Sequence, residues 1–280
     1  MQRHILPVSL LACCCAGPAD SSSGDDSASA ADNAAPEPRL DPQFVMDDIE
    51  LLDFGQGVDL TGDGNPDNAL AELFTDPVIG NALGGSPNGW IGQSVESGDL
   101  LVMLDFQFLG DFADDRHTEI DMLLGSPSTG DDADPFSGQT PLSVRCGSLA
   151  EDGAAASRFD AAALSGGALS GEGGEFLFLM PFARDTVVVL RDAHIEASLA
   201  ADGSSLQEGI LAGSVRYEDL ELVVENDPEI GSGFGELMLA FLDNRLDVDL
   251  DGDGDPDAMS AAFAFHAVPA LIDRSGACVD

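Results

Sequence analysis

The chain has 280 residues, and its 52 acidic residues against 10 basic ones give a formal net charge of −42 at pH 7. All 10 of those basic residues are arginine, so the sequence contains no lysine. A surface of this charge repels phosphate backbones and anionic lipid heads, and we expect no binding to nucleic acid. Without lysine there is also no phosphate-loop lysine and no Schiff-base chemistry.

The first residues have the layout of a secretory signal. The apolar run from Ile5 to Ala12 is too short to cross a bilayer, which takes about 20 apolar residues. Leu10-Leu11-Ala12-Cys13 resembles a bacterial lipobox, in which a peptidase cuts before a lipidated cysteine. We therefore interpret residues 1–12 as a lipoprotein signal peptide and Cys13 as the lipid anchor. Cys14 and Cys15 are alternative anchors, and an ordinary signal peptide followed by incidental cysteines stays open.

The next segment, residues 13–42, is rich in Ser, Ala, Asp, Pro and Gly and has almost no large apolar side chains. It cannot bury enough surface to offset the entropy of ordering, and its own charge favours an extended chain. We interpret it as a disordered acidic tether. Residues 43–280 contain abundant Leu, Val, Ala and Phe, enough for a hydrophobic core, and we interpret them as a single domain.

Alternation and β-branched or aromatic content predict a mainly β domain with a β-sandwich-like fold and a few short helices. The predicted strands are Phe44 to Leu52, Leu100 to Leu109, Glu119 to Leu124, Glu175 to Met180, Thr186 to Leu190, His194 to Leu199 and Met259 to Val268. Asp202-Gly203 predicts a turn before a returning strand from Leu206 to Leu211. The predicted helices are Asn68 to Leu73 and Gly235 to Asn244. The segment 154–174 favours turns between short strands, and 126–139 an exposed loop.

Two cysteines lie beyond the tether, Cys146 and Cys278. An exported chain reaches an oxidising compartment, where a disulfide between them is a candidate pairing that the sequence leaves open.

One ten-residue device occurs twice, 190 positions apart. The segment from Val58 to Asp67 reads VDLTGDGNPD, and the segment from Val248 to Asp257 reads VDLDGDGDPD. Counted from the first aspartate, each copy has oxygen-bearing side chains at positions 1, 3, 5 and 9 and a glycine at position 6, where a calcium loop turns sharply. We therefore predict Ca²⁺ loops at 59–67 and 249–257, one near each end of the domain, since oxygen ligands suit Ca²⁺ while Zn²⁺ prefers Cys and His.

Eight side chains and two backbone carbonyls are the expected ligands. The side chains are those of Asp59, Thr61, Asp63 and Asp67 in the first loop and of Asp249, Asp251, Asp253 and Asp257 in the second, and the carbonyls are those of Asn65 and Asp255. Like charges this close raise one another's pKa, and a divalent ion removes that cost. The alternative is that both loops are ordinary Asp/Gly turns.

These loops resemble the calcium loops of EF-hands, dockerins and thrombospondin type 3 repeats, and the layout of the chain resembles bacterial surface lipoproteins with Asp-Gly-Asp-Gly motifs. Two positions depart from the EF-hand. Position 12, a bidentate Glu in EF-hands, is Leu70 in one loop and Ser260 in the other, and position 8 is proline in both. The missing ligand would come from water, from Glu72 or from elsewhere in the fold, and we expect weak affinity.

No catalytic motif stands out in the sequence. It has no Gly-x-Ser-x-Gly elbow and no His-Glu-x-x-His helix, and its histidines beyond the tether, His117, His194 and His266, are scattered singly. We expect a non-catalytic, calcium-binding surface or adhesion module, lipid-anchored at the outer membrane or cell surface, with another surface protein or a glycan as candidate partner. The alternatives are a structural envelope lipoprotein whose turns bind no ion and an unrecognised secreted hydrolase.

Overall fold

The structure is a computed structural model that describes residues 40–77, 79, 86–127, 134–179, 187–226 and 232–279. The predicted signal peptide, the lipidation candidate Cys13 and all of the tether except residues 40–42 lie outside the described residues. Part of the predicted loop at 126–139 also lies outside them.

In the described part of the chain, ten strands form one sheet. They are β1 Gln43–Leu51, β2 Leu101–Gln107, β3 Asp115–Pro127, β4 Pro141–Val144, β5 Ser157–Ser165, β6 Ala168–Leu179, β7 Val187–Leu199, β8 Leu206–Arg216, β9 Ala258–Pro269 and β10 Leu271–Asp273. The mainly β prediction is therefore confirmed. The predicted strands Thr186 to Leu190 and His194 to Leu199 belong to one strand, β7. The sequence divides them because β7 contains a bulge at Asp192 (φ 46°) that interrupts the alternation.

The described helices are short: α1 Ala69–Thr75, α2 Pro87–Ser97, α3 Tyr217–Asn226 and α4 Ser232–Asp243, with one 3₁₀ turn at Cys146–Ser148. The two predicted helices correspond to α1 and α4. The sequence did not reveal α2, because its buried residues are only Ile91 and Val95. The start of this helix is fixed by Ser86, whose side chain accepts a hydrogen bond from Gly89 N. Within the described residues no helix is long and apolar enough to cross a membrane.

Eight of the strands close into a barrel. In the order β3, β2, β1, β9, β8, β7, β6 and β5 each pairs antiparallel with the next, and β5 pairs back with β3. Ile120 of β3 faces Phe106 on one side and Phe159 on the other. The sandwich-like prediction is therefore wrong. Sandwich and barrel strands both alternate between a buried and an exposed face, so only the long-range pairing of β3 with β5 separates the two folds.

The main core is made of alternate residues of the barrel strands, with helices α1 to α4 adding to it. Its largest members are aromatic. Phe44 and Phe106 meet edge to face at 5.7 Å between ring centroids, and Phe178 stacks on Phe263 at 4.7 Å. Burying each such side chain contributes up to about 3 kcal/mol. Phe44 and Phe106 lie on the neighbouring strands β1 and β2, whereas Phe178 and Phe263 connect β6 with β9, which do not pair with each other.

A second, smaller core lies on the outer face of β1, β2 and β3. Val45, Leu101, Met103 and Leu123 pack there against residues of β4 and of the segment 270–279, which we call the strap. Cys146 and Cys278 are joined by a disulfide with a Cα–Cα distance of 4.9 Å, and this bond fixes the far end of the strap.

Candidate metal centre

The two repeated loops lie at the same end of the barrel. We call residues 59–67 loop A and residues 249–257 loop B. Loop A follows β1 and loop B directly precedes β9, and these two strands pair antiparallel, with Leu51 opposite Phe263. The end of one strand therefore adjoins the start of the other, and Leu52 N beyond β1 donates to Ala262 O at 3.0 Å.

Loop A is organised around its first and last carboxylates. Asp59 accepts backbone hydrogen bonds from Gly62, Asp63 and Gly64 at 2.7, 3.1 and 2.8 Å. Asp67 accepts from Leu60 N and Thr61 N at 2.8 and 2.9 Å. Because these donors are all local, the ten residues specify the turn by themselves.

Loop B repeats most of this pattern. Asp249 accepts from Gly252 N and Gly254 N, each at 2.8 Å, and Asp257 accepts from Leu250 N at 2.8 Å. Two contacts differ. Asp253 N donates to Asp251 at 3.1 Å, whereas its counterpart Asp63 N donates to Asp59, and loop B has no described counterpart of the bond from Thr61 N to Asp67.

The glycines of both loops have the backbone conformation that the motif requires. Gly62 and Gly252 both have a φ of 75°, and Gly64 and Gly254, at position 6, have φ values of 89° and 101°. A side chain is strained at such angles, which explains the two glycines in each copy.

In loop B three carboxylates converge. One oxygen from each of Asp249, Asp251 and Asp253 lies within 4.8 Å of the others, and all three residues are exposed. Two oxygens that share one Ca²⁺ at 2.3–2.6 Å cannot lie more than about 5 Å apart, so this spacing fits a common ion. Asp257 takes no part in this group.

Loop A brings a hydroxyl, on Thr61, to the position of Asp251. Asp63, the counterpart of Asp253, accepts from both Asn65 N and Asn65 Nδ2, at 2.8 and 3.0 Å. The side chain of Asn65 therefore bonds to another residue of the loop. The backbone carbonyl of Asn65 remains the expected ligand atom.

The two residues at position 12, and the ligand candidate Glu72, have other roles. Leu70, at position 12 of loop A, is buried in the main core. Ser260, at position 12 of loop B, is also buried, and its hydroxyl donates to Asp247 Oδ2 at 2.6 Å. Glu72 forms an ion pair with Arg245. Neither loop therefore takes a ligand from position 12 in the manner of an EF-hand.

A buried polar network connects the two loops, and the sequence had not revealed it. Asn68, directly after loop A, donates to Leu52 O at 2.7 Å and accepts from Ala262 N at 3.2 Å. Ala69 N, the first residue of α1, donates to the hydroxyl of Ser260 at 2.8 Å. The chain after loop A is thereby bonded to the strand after loop B.

Asp247, two residues before loop B, belongs to this network and accepts from both the backbone and the hydroxyl of Ser260. Burial raises the pKa of the Asp247 carboxyl, and the negative charge of Asp67 in loop A acts in the same direction. The ends of the two loops are thus close enough to interact electrostatically. In the sequence the only trace of this role is an acidic residue outside the repeat.

The three histidines beyond the tether lie on three different strands, β3, β7 and β9. His266 Nδ1 lies 2.6 Å from Asp47 Oδ1 across the pairing of β9 with β1, beside the bulge between Met46 and Asp48.

Searches against protein-family models, curated proteins and solved structures give no match to this chain.

Proposed function

We propose that this chain is a calcium-binding, exported lipoprotein that acts as a non-catalytic surface binding or adhesion module. The observation that carries the calcium proposal is the convergence of Asp249, Asp251 and Asp253 in loop B. Three exposed carboxylates repel one another at this range, and a divalent cation turns the repulsion into attraction. Oxygen-only ligands favour Ca²⁺ over a transition metal.

Loop A supports the same proposal because its backbone contacts match those of loop B. Asp59 and Asp249 each accept hydrogen bonds from the two glycines of their loop, and Asp67 and Asp257 each accept one from the backbone N of the leucine at position 2. We propose a second, weaker site there. Extracellular calcium modules bind with a Kd of about 10⁻⁴ to 10⁻³ M, a concentration range that an exported protein meets.

The proposed location rests on the amino-terminal sequence. Cys13 behind an apolar run supplies the lipid anchor, the acidic tether separates the domain from the membrane, and the outer membrane or cell surface is the proposed place. A partner would be another surface protein or a glycan. The disulfide between Cys146 and Cys278 supports an oxidising compartment.

Thermal melting in calcium and in EDTA tests the calcium proposal. An ion that binds only the folded state adds RT ln(1 + [L]/Kd), which is about 1.4 kcal/mol per site at a tenfold excess over Kd. We expect millimolar calcium to raise the melting temperature and magnesium at the same ionic strength to raise it less. Identical melting curves in calcium and EDTA would instead support the structural alternative, in which the backbone hydrogen bonds alone hold the loops.

Asp152→Ala is the matched control. Asp152 lies in another exposed Asp-Gly turn, where it accepts a hydrogen bond from Ala154 N at 3.0 Å, and Gly153 has a φ of 83°. This turn has the local geometry of the loops without a triplet of carboxylates. The variant should keep the full calcium shift.

A further inference from the structure

The strap, residues 270–279, is attached to the barrel by one covalent bond, by a short ladder with β4 and further backbone hydrogen bonds, and by the ion pairs of Arg274. Only Ala270 and Ile272 of the strap are buried, and both belong to the outer core. The barrel closes through β3 and β5, and the main core contains no strap residue. The barrel is therefore complete without the strap.

The backbone pairing of the strap covers few residues. Its strand β10 pairs in parallel with β4 over three residues, from Leu271 opposite Pro141 to Asp273 opposite Ser143. Beyond this ladder, Ala270 N donates to Gln43 O at 2.8 Å and Ile272 N donates to Gln43 Oε1 at 2.9 Å. At the far end, Cys146 N donates to Val279 O at 2.8 Å and Val279 N donates to Val144 O at 2.9 Å. Leu271 is 46 % exposed, so the strap buries little apolar area for the order it imposes on the chain.

One side chain of the strap, that of Arg274, binds two buried carboxylates of the barrel. Arg274 reaches Asp105 at 2.9 Å and Asp121 at 2.5 Å, and those two aspartates face each other on β2 and β3 with side chains 4 % and 0 % exposed. Burying such charges costs hydration about equal to what the ion pairs return. Arg158 on β5 also pairs with Asp121, at 2.6 Å, so this carboxylate has a partner that does not belong to the strap.

We propose that the disulfide between Cys146 and Cys278 makes the strap a redox-sensitive cover. In the oxidised protein the strap is closed over the outer face of β1, β2 and β3. A dithiol reductant donates two electrons and two protons to the bond, giving thiols at Cys146 and Cys278, and is itself oxidised to a disulfide. The strap then opens and uncovers an apolar face flanked by Asp105 and Asp121, while the barrel stays folded.

Hydrogen exchange read by mass spectrometry on the full chain tests this proposal. Cys146→Ser combined with Cys278→Ser should speed exchange in peptides covering 270–279 by about tenfold or more over the oxidised protein, with β7 and β8 unchanged. The reduced wild-type protein should behave alike. Unchanged exchange in the strap would overturn the proposal because non-covalent contacts would then suffice. Loss of protection throughout the barrel would overturn it too, because the bond would then hold the whole fold.

A pair of arginine variants separates the strap from the buried charges beneath it. In the Cys146→Ser/Cys278→Ser background, Arg274→Gln should speed exchange of the strap further. Arg158→Gln removes the other arginine on Asp121 but lies on β5, outside the strap. Arg158→Gln should leave hydrogen exchange of the strap unchanged. An equal effect of the two variants would overturn the assignment of Arg274 as a specific contact of the strap.

Discussion

Aspartate has three different roles in this protein, and burial decides which one each residue has. Asp253 is exposed in loop B beside two other carboxylates. Asp247 is partly buried and is held by Ser260. Asp105 is buried on the outer wall between Arg274 and Gln43. These three aspartates have the same side chain, and their chemistry differs because their neighbours differ.

The two loops should respond unequally when a position-5 carboxylate is removed. We expect Asp253→Ala to abolish most of the calcium-dependent rise in melting temperature and Asp63→Ala to abolish less. The reason is that loop B has the carboxylate of Asp251 where loop A has the hydroxyl of Thr61. Differential scanning calorimetry at matched calcium concentrations measures the shifts. A larger loss for Asp63→Ala would contradict the ranking of the sites.

Asp105 should make a measurable contribution to the pH dependence of stability. Burial raises the pKa of Asp105 above its usual 3.8, and the attraction of Arg274 opposes that rise without cancelling it. The folded state therefore holds the proton more tightly than the unfolded chain. The stability this group contributes is full below the unfolded pKa and is lost as pH rises through the folded pKa.

Urea unfolding of the wild-type protein and Asp105→Asn from about pH 3 to about pH 7 measures this effect. The unfolding free energy of the wild type relative to the variant should fall as pH rises. Asp202→Asn is a control of opposite sign, because hydrogen bonds from Ser204 lower the pKa of Asp202. The unfolding free energy of the wild type relative to Asp202→Asn should rise with pH. The same slope for both variants would refute the assignment to burial.

Among the elements, β9 is the one that organises the candidate site. Loop B leads into it, Asn68 after loop A bonds to its Ala262, and Ala69 N bonds to its Ser260. The pairing with β1 brings the two repeats to one end of the barrel. The loops form locally, but β9 and its partners determine their arrangement.

Asn68 should contribute more to stability than an exposed asparagine. Asn68→Ala leaves the buried Ala262 N without its acceptor, and the expected loss is about 1 to 3 kcal/mol of unfolding free energy. The control is Asn244→Ala, which removes an exposed contact to Ala240 O. Chemical denaturation compares the two. Equal losses would show that burial of the Asn68 amide adds nothing.

The two loops should also be energetically coupled. Asp67 adds to the rise of the Asp247 pKa, and Ser260 bonds both to Asp247 and to the start of α1. We expect the calcium shift of the double variant Asp63→Ala/Asp253→Ala to differ from the sum of the single effects. Melting of the four proteins at one calcium concentration measures the difference. Strict additivity would mean that the loops act independently.

At the scale of the whole molecule, the described residues form a barrel with its candidate ion loops at one end and a disulfide-bonded strap on its outer wall. The charge of −42 is spread over the chain, and only in loop B do three carboxylates meet among the described residues. We interpret the excess acid elsewhere as a solvated surface that favours solubility.

The proposed anchor gives a prediction for the whole chain in its native host. Cys13→Ser should move the protein from the membrane fraction to the soluble fraction, because one residue carries all of the proposed lipid. Immunoblotting of the fractions measures the shift, with Cys278→Ser as a cysteine control that should stay in the membrane fraction. Membrane association that survives Cys13→Ser would move the anchor to Cys14 or Cys15, or remove it.

The sequence by itself determined the features whose hydrogen bonds are local. The loop repeat, most of the barrel strands and helices α1 and α4 could be predicted because their donors and acceptors, or their apolar spacing, lie within about ten residues of one another. Helix α2 could not be predicted, because its two buried residues are too few to give an apolar period.

Only the tertiary structure decided the closure of the barrel, the common end shared by the loops and the burial of Asp105. The pairing of β3 with β5, like the contact of Asn68 with Ala262, joins residues far apart in the chain. Such contacts depend on which surfaces remain to be covered once all strands are present. Alternation along one strand shows that a face is buried but not what covers it.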